Sequence, residues 1–94
     1  MIVWKWLKNK KPVKISLKQR HEGEITLVCS KNMELLYLNK VGSFIFELCD
    51  GKNTLDDIVT QLLNKFDVEK EILIADLMDI IRDLQFKRII KLEV

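Results

Sequence analysis

The chain holds one histidine, one proline, three glycines and two cysteines, and each scarcity excludes a class of protein. A single histidine, His21, and no Cys-x-x-Cys pair leave a zinc site short of ligands. A Ser–His or Cys–His nucleophile would have to recruit His21 from the charged run Lys18-Gln-Arg-His-Glu22, which reads as a solvated strand end or turn. Gly42 and Gly51 stand alone, so no glycine-rich phosphate loop is present. With Pro12 the only proline, the chain is neither a linker nor low-complexity sequence. No apolar run exceeds four residues, as in Ile72 to Ala75, whereas a membrane-spanning helix needs about 20. Lys5 interrupts the opening Met1-Ile-Val-Trp4 before it reaches the length of a secretory core, so a cytoplasmic location is expected. Cys29 and Cys49 then read as small hydrophobes and not as a disulfide. These exclusions point to a binding protein without catalysis, cofactor or metal.

What remains is compact-domain chemistry. Apolar residues make up 48% and charged residues 32% of 94 positions, the balance of one globular domain. The formal net charge of +2 conceals an asymmetry. Residues 1–20 carry seven basic side chains and no acid, while residues 41–85 carry four basic groups against ten acids. We therefore separate a basic N-terminal arm, residues 1–12, from a domain over residues 13–94. The arm reads either as a docking element for an acidic partner or as a solvated terminus.

From Pro12 the pattern has period two: Val13, Ile15 and Leu17 alternate with Lys14, Ser16 and Lys18. Glu22-Gly23-Glu24 supplies a turn, Ile25 to Cys29 a second strand, Ser30-Lys-Asn32 another turn and Glu34 to Leu38 a third strand. After Asn39 the period becomes helical. Asn39 caps a helix to about Cys49, stopped by Asp50-Gly51. Thr54 and Asp57 form a capping box for a second helix, whose first-turn acids Asp56 and Asp57 suit the helix dipole better than acid–base chemistry. A third helix covers Glu69 to Leu84, and residues 88–92 close the chain as a short strand. The expected fold is α+β: a three-stranded antiparallel sheet followed by three helices, winged-helix-like, with a short C-terminal strand.

That order raises the possibility of a winged-helix DNA-binding protein. In that motif the third helix enters the major groove and needs positive charge. Here it carries Glu69, Glu71, Asp76, Asp79 and Asp83 against Lys70 and Arg82, which would set like charge against the phosphate backbone. No nucleic-acid partner is expected.

The segment Leu38-Asn39-Lys-Val-Gly42-Ser-Phe-Ile45-Phe-Glu-Leu48-Cys-Asp50-Gly51, followed by Thr54-Leu-Asp-Asp57-Ile58-Val59, closely resembles the PqqD-like family. Phe66-Asp67-Val68 and Asp76-Leu77-x-x-Ile80-Ile81-x-x-Leu84 are similar to its third-helix pattern. One departure is Arg88, where the family usually has Gly before its last apolar pair; Ile89-Ile90 keeps the pair. The resemblance implies a stand-alone recognition element, or peptide chaperone, in the making of ribosomally synthesised, post-translationally modified peptides. Its partners would be a precursor leader peptide and a modifying enzyme, either a radical SAM enzyme or a leader peptidase with a cyclase. The leader would add as a strand to the third strand, beside the third helix.

The residues themselves are compatible with that site. Glu34-Leu35-Leu36-Tyr37-Leu38 has no guard of Lys or Pro and can accept an added strand. On the third helix Leu73, Leu77, Ile80 and Leu84 form one apolar stripe, and Ile74, Met78 and Ile81 a second that reaches Gln85. The first is assigned to the core and the second to the wall of the peptide groove. Alternation does not say which of Leu36/Leu38 and Leu35/Tyr37 faces that groove. A scaffold subunit that docks on an enzyme without touching its substrate is the remaining alternative.

Overall fold

The computed structural model describes residues 3–94; Met1 and Ile2 of the expected arm lie outside the described residues. The order is α1 (Val3–Leu7), β1 (Lys11–Lys14), β2 (Lys18–Glu22), β3 (Ile25–Cys29), β4 (Leu35–Leu38), α2 (Lys40–Glu47), α3 (Leu55–Lys65), α4 (Lys70–Phe86) and β5 (Ile90–Glu93). Strands β2, β3 and β4 form an antiparallel sheet in that order, and β1 pairs antiparallel with β5. The expected α+β class, with its three-stranded sheet, following helices and C-terminal strand, is what the chain adopts.

The expected first strand, residues 13–18, divides between the two sheets. Ile15 N–H donates to the Ile89 carbonyl (2.9 Å), and Leu17 N–H donates to the Cys29 carbonyl (2.8 Å). The chain thus changes partners within two residues while its side-chain alternation continues, so periodicity alone cannot reveal the switch. The charged run Lys18–Glu22 becomes β2, exposed along its whole length, because the β3 ladder supplies the hydrogen bonds that composition does not predict. Gly23, at φ +65°, makes the turn between them. His21 is anchored there: Nε2 lies 2.8 Å from Glu47 Oε1 and Nδ1 lies 3.1 Å from Thr26 Oγ1.

The helix starts follow their capping residues. Asn39 Oδ1 accepts from Gly42 N–H at 2.8 Å. At α3 the first amides are all satisfied: Leu55 N–H by the Lys10 carbonyl (2.9 Å), Asp56 N–H by the Lys8 carbonyl (3.0 Å) and Asp57 N–H by Thr54 Oγ1 (3.0 Å). The Asp57 carboxylate accepts from Thr54 N–H in return (2.9 Å). Two of these partners come from the supposed arm. The arm is also ordered by packing, since Trp4 and Leu7, three residues apart on α1, lie against the core. The boundary placed between residues 12 and 13 falls inside β1, whose outer side is closed by the Gly51 N–H bond to the Pro12 carbonyl (2.9 Å).

The core gathers Val28 and Leu38 from the sheet, Ile45 and Phe46 from α2, and Ile58 and Leu62 from α3. From α4 it takes Leu73, Leu77, Ile81 and Leu84. Each fully buried aliphatic side chain contributes about 1.5–3 kcal/mol. Cys49 is buried and Cys29 half-buried, and both are free thiols. Burial pushes the Cys49 thiol up to about 12, and it donates to the Ile45 carbonyl (3.2 Å).

Candidate functional site

The three-stranded sheet has two edges, and they differ. β2 presents Lys18, Arg20 and Glu22, the charged guards that discourage strand addition. β4, Leu-Leu-Tyr-Leu, presents none.

The β3–β4 hairpin sets which groups of β4 point outward. Met33 N–H donates to the Ser30 carbonyl (3.0 Å), Met33 takes φ +65°, and Ser30 N–H donates to the Glu34 carbonyl (2.9 Å). Buried Ser30 Oγ accepts from the amides of Asn32 and Glu34 and holds the turn. Ser30/Glu34 is therefore a hydrogen-bonded pair. Such pairs alternate along an antiparallel ladder, so Val28/Leu36 and Thr26/Leu38, opposite each other in register, are hydrogen-bonded too. The N–H and C=O groups of Leu35 and Tyr37 consequently point away from β3, to the open edge. The side chains divide the other way about the sheet: Leu36 and Leu38 lie on the inner face, half-buried and buried, while Leu35 and Tyr37 are each 67% exposed on the outer face.

Beside this edge runs α4. A pocket of about 200 Å³ lies between Leu36, Tyr37 and Leu38 on one side and Ile80, Asp83, Leu84 and Lys87 on the other. A second pocket of about 440 Å³ adjoins it through the shared Asn39 and Ile80 and continues past Val41, Phe66 and Val68 to Leu73 and Asp76. Phe66 is fixed edge-on to Phe44, ring centroids 6.0 Å apart. Together they make a trough, apolar at its floor, whose smaller part borders the unguarded strand and whose larger part runs on beside α2.

Residues Glu34, Leu35, Leu36, Tyr37 and Leu38 thus come together at one edge, and the expected helix residues lie elsewhere. Ile74, Met78 and Gln85 face α1, where with Trp4 and Leu7 they line a separate cavity of about 600 Å³. Ile81 is 2% exposed and belongs to the core. The helix turns by about 100° per residue, and the core stripe is Leu73, Leu77, Ile81 and Leu84, the expected one except that Ile81 stands in place of Ile80. The flank toward β4 is accordingly Ile80, Asp83 and Lys87, with Asp76 one turn farther along beside the pocket toward α2. Those four residues were missed because the adjacent isoleucines at 80 and 81 fit either stripe equally well, and α1, which covers the other flank, gave no periodic signal of its own.

Among the described residues no three His, Cys, Asp or Glu side chains cluster to hold a metal ion, and no helix is long and apolar enough to cross a membrane. Asp50, whose carboxylate accepts from the amides of Lys52 and Asn53, is held below the usual carboxylate range by those bonds; it shapes the turn before α3.

No match is found among curated proteins. Among solved structures the fold is similar to that of TbiB1 in complex with the TbiA(beta) leader peptide, at 20% sequence identity and a TM-score of 0.77, covering 84% of this chain and 93% of that one. The family model described as coenzyme PQQ synthesis protein D (PqqD) matches residues 30–90, from the β3–β4 turn to the start of β5. The chain belongs to the PqqD family.

Proposed function

We propose that this chain binds an extended segment of a precursor leader peptide by strand addition to β4 and presents it to a modifying enzyme. It would act without catalysis of its own. The observation that carries this reading is the outward direction of the Leu35 and Tyr37 backbone groups at an edge without charged guards, directly beside an apolar trough. TbiB1, similar in fold, is a protein solved with a leader peptide, and the family description places relatives in the synthesis of coenzyme PQQ.

The energetics assign a role to each part. Leu35 and Tyr37 offer two donors and two acceptors, worth about 0.5–1.5 kcal/mol net per bond. That total of about 2–6 kcal/mol falls short of the ~8 kcal/mol that micromolar affinity requires, before the cost of association. The trough must supply the remainder, so backbone bonds hold any extended segment and the pockets select among segments. Of the helix residues, Ile80 is the apolar one suited to selection, half-buried and bordering both pockets; Ile74, Met78 and Gln85 do not adjoin the edge. Lys5, exposed on α1, and the half-buried Lys8, Lys10 and Lys11 after it are the part of the chain suited to an acidic surface on the enzyme.

The test is titration of the isotope-labelled chain with leader segments of precursor peptides from the same genome, followed by amide NMR. Binding that perturbs residues 34–38 and Ile80 supports the reading. Binding that perturbs β2, or the Trp4–Met78 cavity instead, contradicts it.

A further inference from the structure

We infer that the peptide taken up beside β4 presents, on the side facing α4, an apolar residue flanked two positions away on each side by Lys or Arg. This rests on strand addition at β4 and adds to it the charge pattern of the ligand.

The groove wall of α4 is one stripe at spacings of four, three and four: Asp76, Ile80, Asp83 and Lys87. Ile80 borders both pockets, Asp76 borders the pocket toward α2, and Asp83 and Lys87 border the pocket along β4. Neither Asp76 nor Asp83 forms an ion pair with any described residue. Of the nearby charges, Arg82 holds Asp79 at 3.0 Å, Lys40 reaches Glu24 at 3.5 Å and Lys65 lies over the Phe44 ring, while Lys87 stands one turn beyond Asp83 on the same stripe. The wall therefore offers acid, apolar surface and acid, with the cation Lys87 at its end and both carboxylates outside any ion pair.

An extended strand matches this spacing. Asp76 and Asp83 are about 10 Å apart along the helix axis at 1.5 Å per residue. Side chains on one face of a strand recur about every 6.6 Å, so positions i and i+4 are about 13 Å apart. The difference of about 3 Å is within the reach of a flexible Lys or Arg, and position i+2 falls against Ile80. A cation at each end would pair with an unengaged carboxylate, while an anion there would meet like charge. Exposed pairs contribute about 0.2–1 kcal/mol each, so two pairs amount to roughly 2- to 30-fold in affinity, declining as salt rises.

The probe is a display library of randomised 12-residue peptides selected on the full chain, on D76K/D83K and on Tyr37→Pro. The Tyr37 amide points outward, so proline there removes an edge donor without breaking the β3 ladder; circular dichroism checks that both variants fold. The expected result is enrichment of Lys/Arg at two positions four apart around an apolar residue, replaced by Asp/Glu in selection on D76K/D83K. Synthetic peptides of the two kinds should then exchange preference by about 2- to 30-fold between the chains. Peptides that fail on Tyr37→Pro yet show no basic enrichment would overturn the charge pattern and leave strand addition standing. Peptides that bind Tyr37→Pro as well as the natural chain would overturn strand addition, and this inference with it.

Discussion

Ile80 and Ile81 are adjacent in the chain and fall on opposite sides of the line between groove and core. Ile81 is 2% exposed, whereas Ile80 is half-buried and borders both pockets beside β4. Aspartate at the two positions should separate their roles. Ile81→Asp places a carboxylate in the core without a partner and should unfold the chain or cost upward of about 3 kcal/mol. Ile80→Asp should fold, with peptide affinity reduced by about 10- to 100-fold. Chemical denaturation and fluorescence anisotropy on the same pair of variants measure both effects.

The opposite flank of α4 should affect stability and leave binding unchanged. Trp4 and Leu7 cover Ile74 and Met78, and the carbonyls of Lys8 and Lys10 complete the start of α3. Trp4→Ala should destabilise by about 1–3 kcal/mol, less than a fully buried tryptophan because this one is half-buried. Peptide affinity should stay within twofold for this variant and for Met78→Ala. Deleting residues 1–10 should lower the melting temperature further than Trp4→Ala does, because it also leaves two helix amides without acceptors.

How much of this was legible in the sequence depended on where the signal was local. Asn39, Thr54 with Asp57, and Asp50-Gly51 are helix boundaries written in consecutive residues, and the helices begin and end at or close to them. The edge strand was legible too, through its lack of charge. The division of residues 11–22 between two sheets was not, because both partners, β5 and β3, lie far along the chain. The helix face toward β4 was misassigned for a related reason: α4 has apolar residues on both flanks of its core stripe. Only the placement of Trp4 and Leu7 shows which flank is covered by the chain itself.

Arg88 occupies a position that favours glycine. It follows α4 at φ +58°, with Arg88 N–H donating to the Gln85 carbonyl (3.0 Å) and Ile89 N–H to the Leu84 carbonyl (2.8 Å), the paired bonds of a Schellman ending. A left-handed L-residue costs about 1–2 kcal/mol, partly offset in a substitution by the greater entropy glycine has when unfolded. Arg88→Gly should therefore stabilise the chain by about 0.5–1 kcal/mol, read as a higher denaturation midpoint with an unchanged slope.

Asp50 makes stability depend on acid pH. Its carboxyl titrates below the ordinary range because backbone amides bind the ionised form. A depressed folded-state pKa contributes stability that is fully present above the unfolded value, near 4. That contribution is lost as pH falls through the folded value. Asp50→Ala should thus be less stable than the natural chain at pH 7, and the difference should shrink below pH 4. A difference that grew on acidification would contradict the assignment.

The most direct test of strand addition is hydrogen exchange at two amides. Leu35 and Tyr37 direct their N–H groups away from β3, while Leu36 and Leu38 direct theirs into it. In the free chain Leu35 and Tyr37 should exchange faster than their alternating neighbours. On saturation with a bound leader peptide they should become protected by at least tenfold, with little change at Leu36 and Leu38. A peptide that binds tightly and leaves the Leu35 and Tyr37 amides exchanging at their free rate would contradict strand addition at β4.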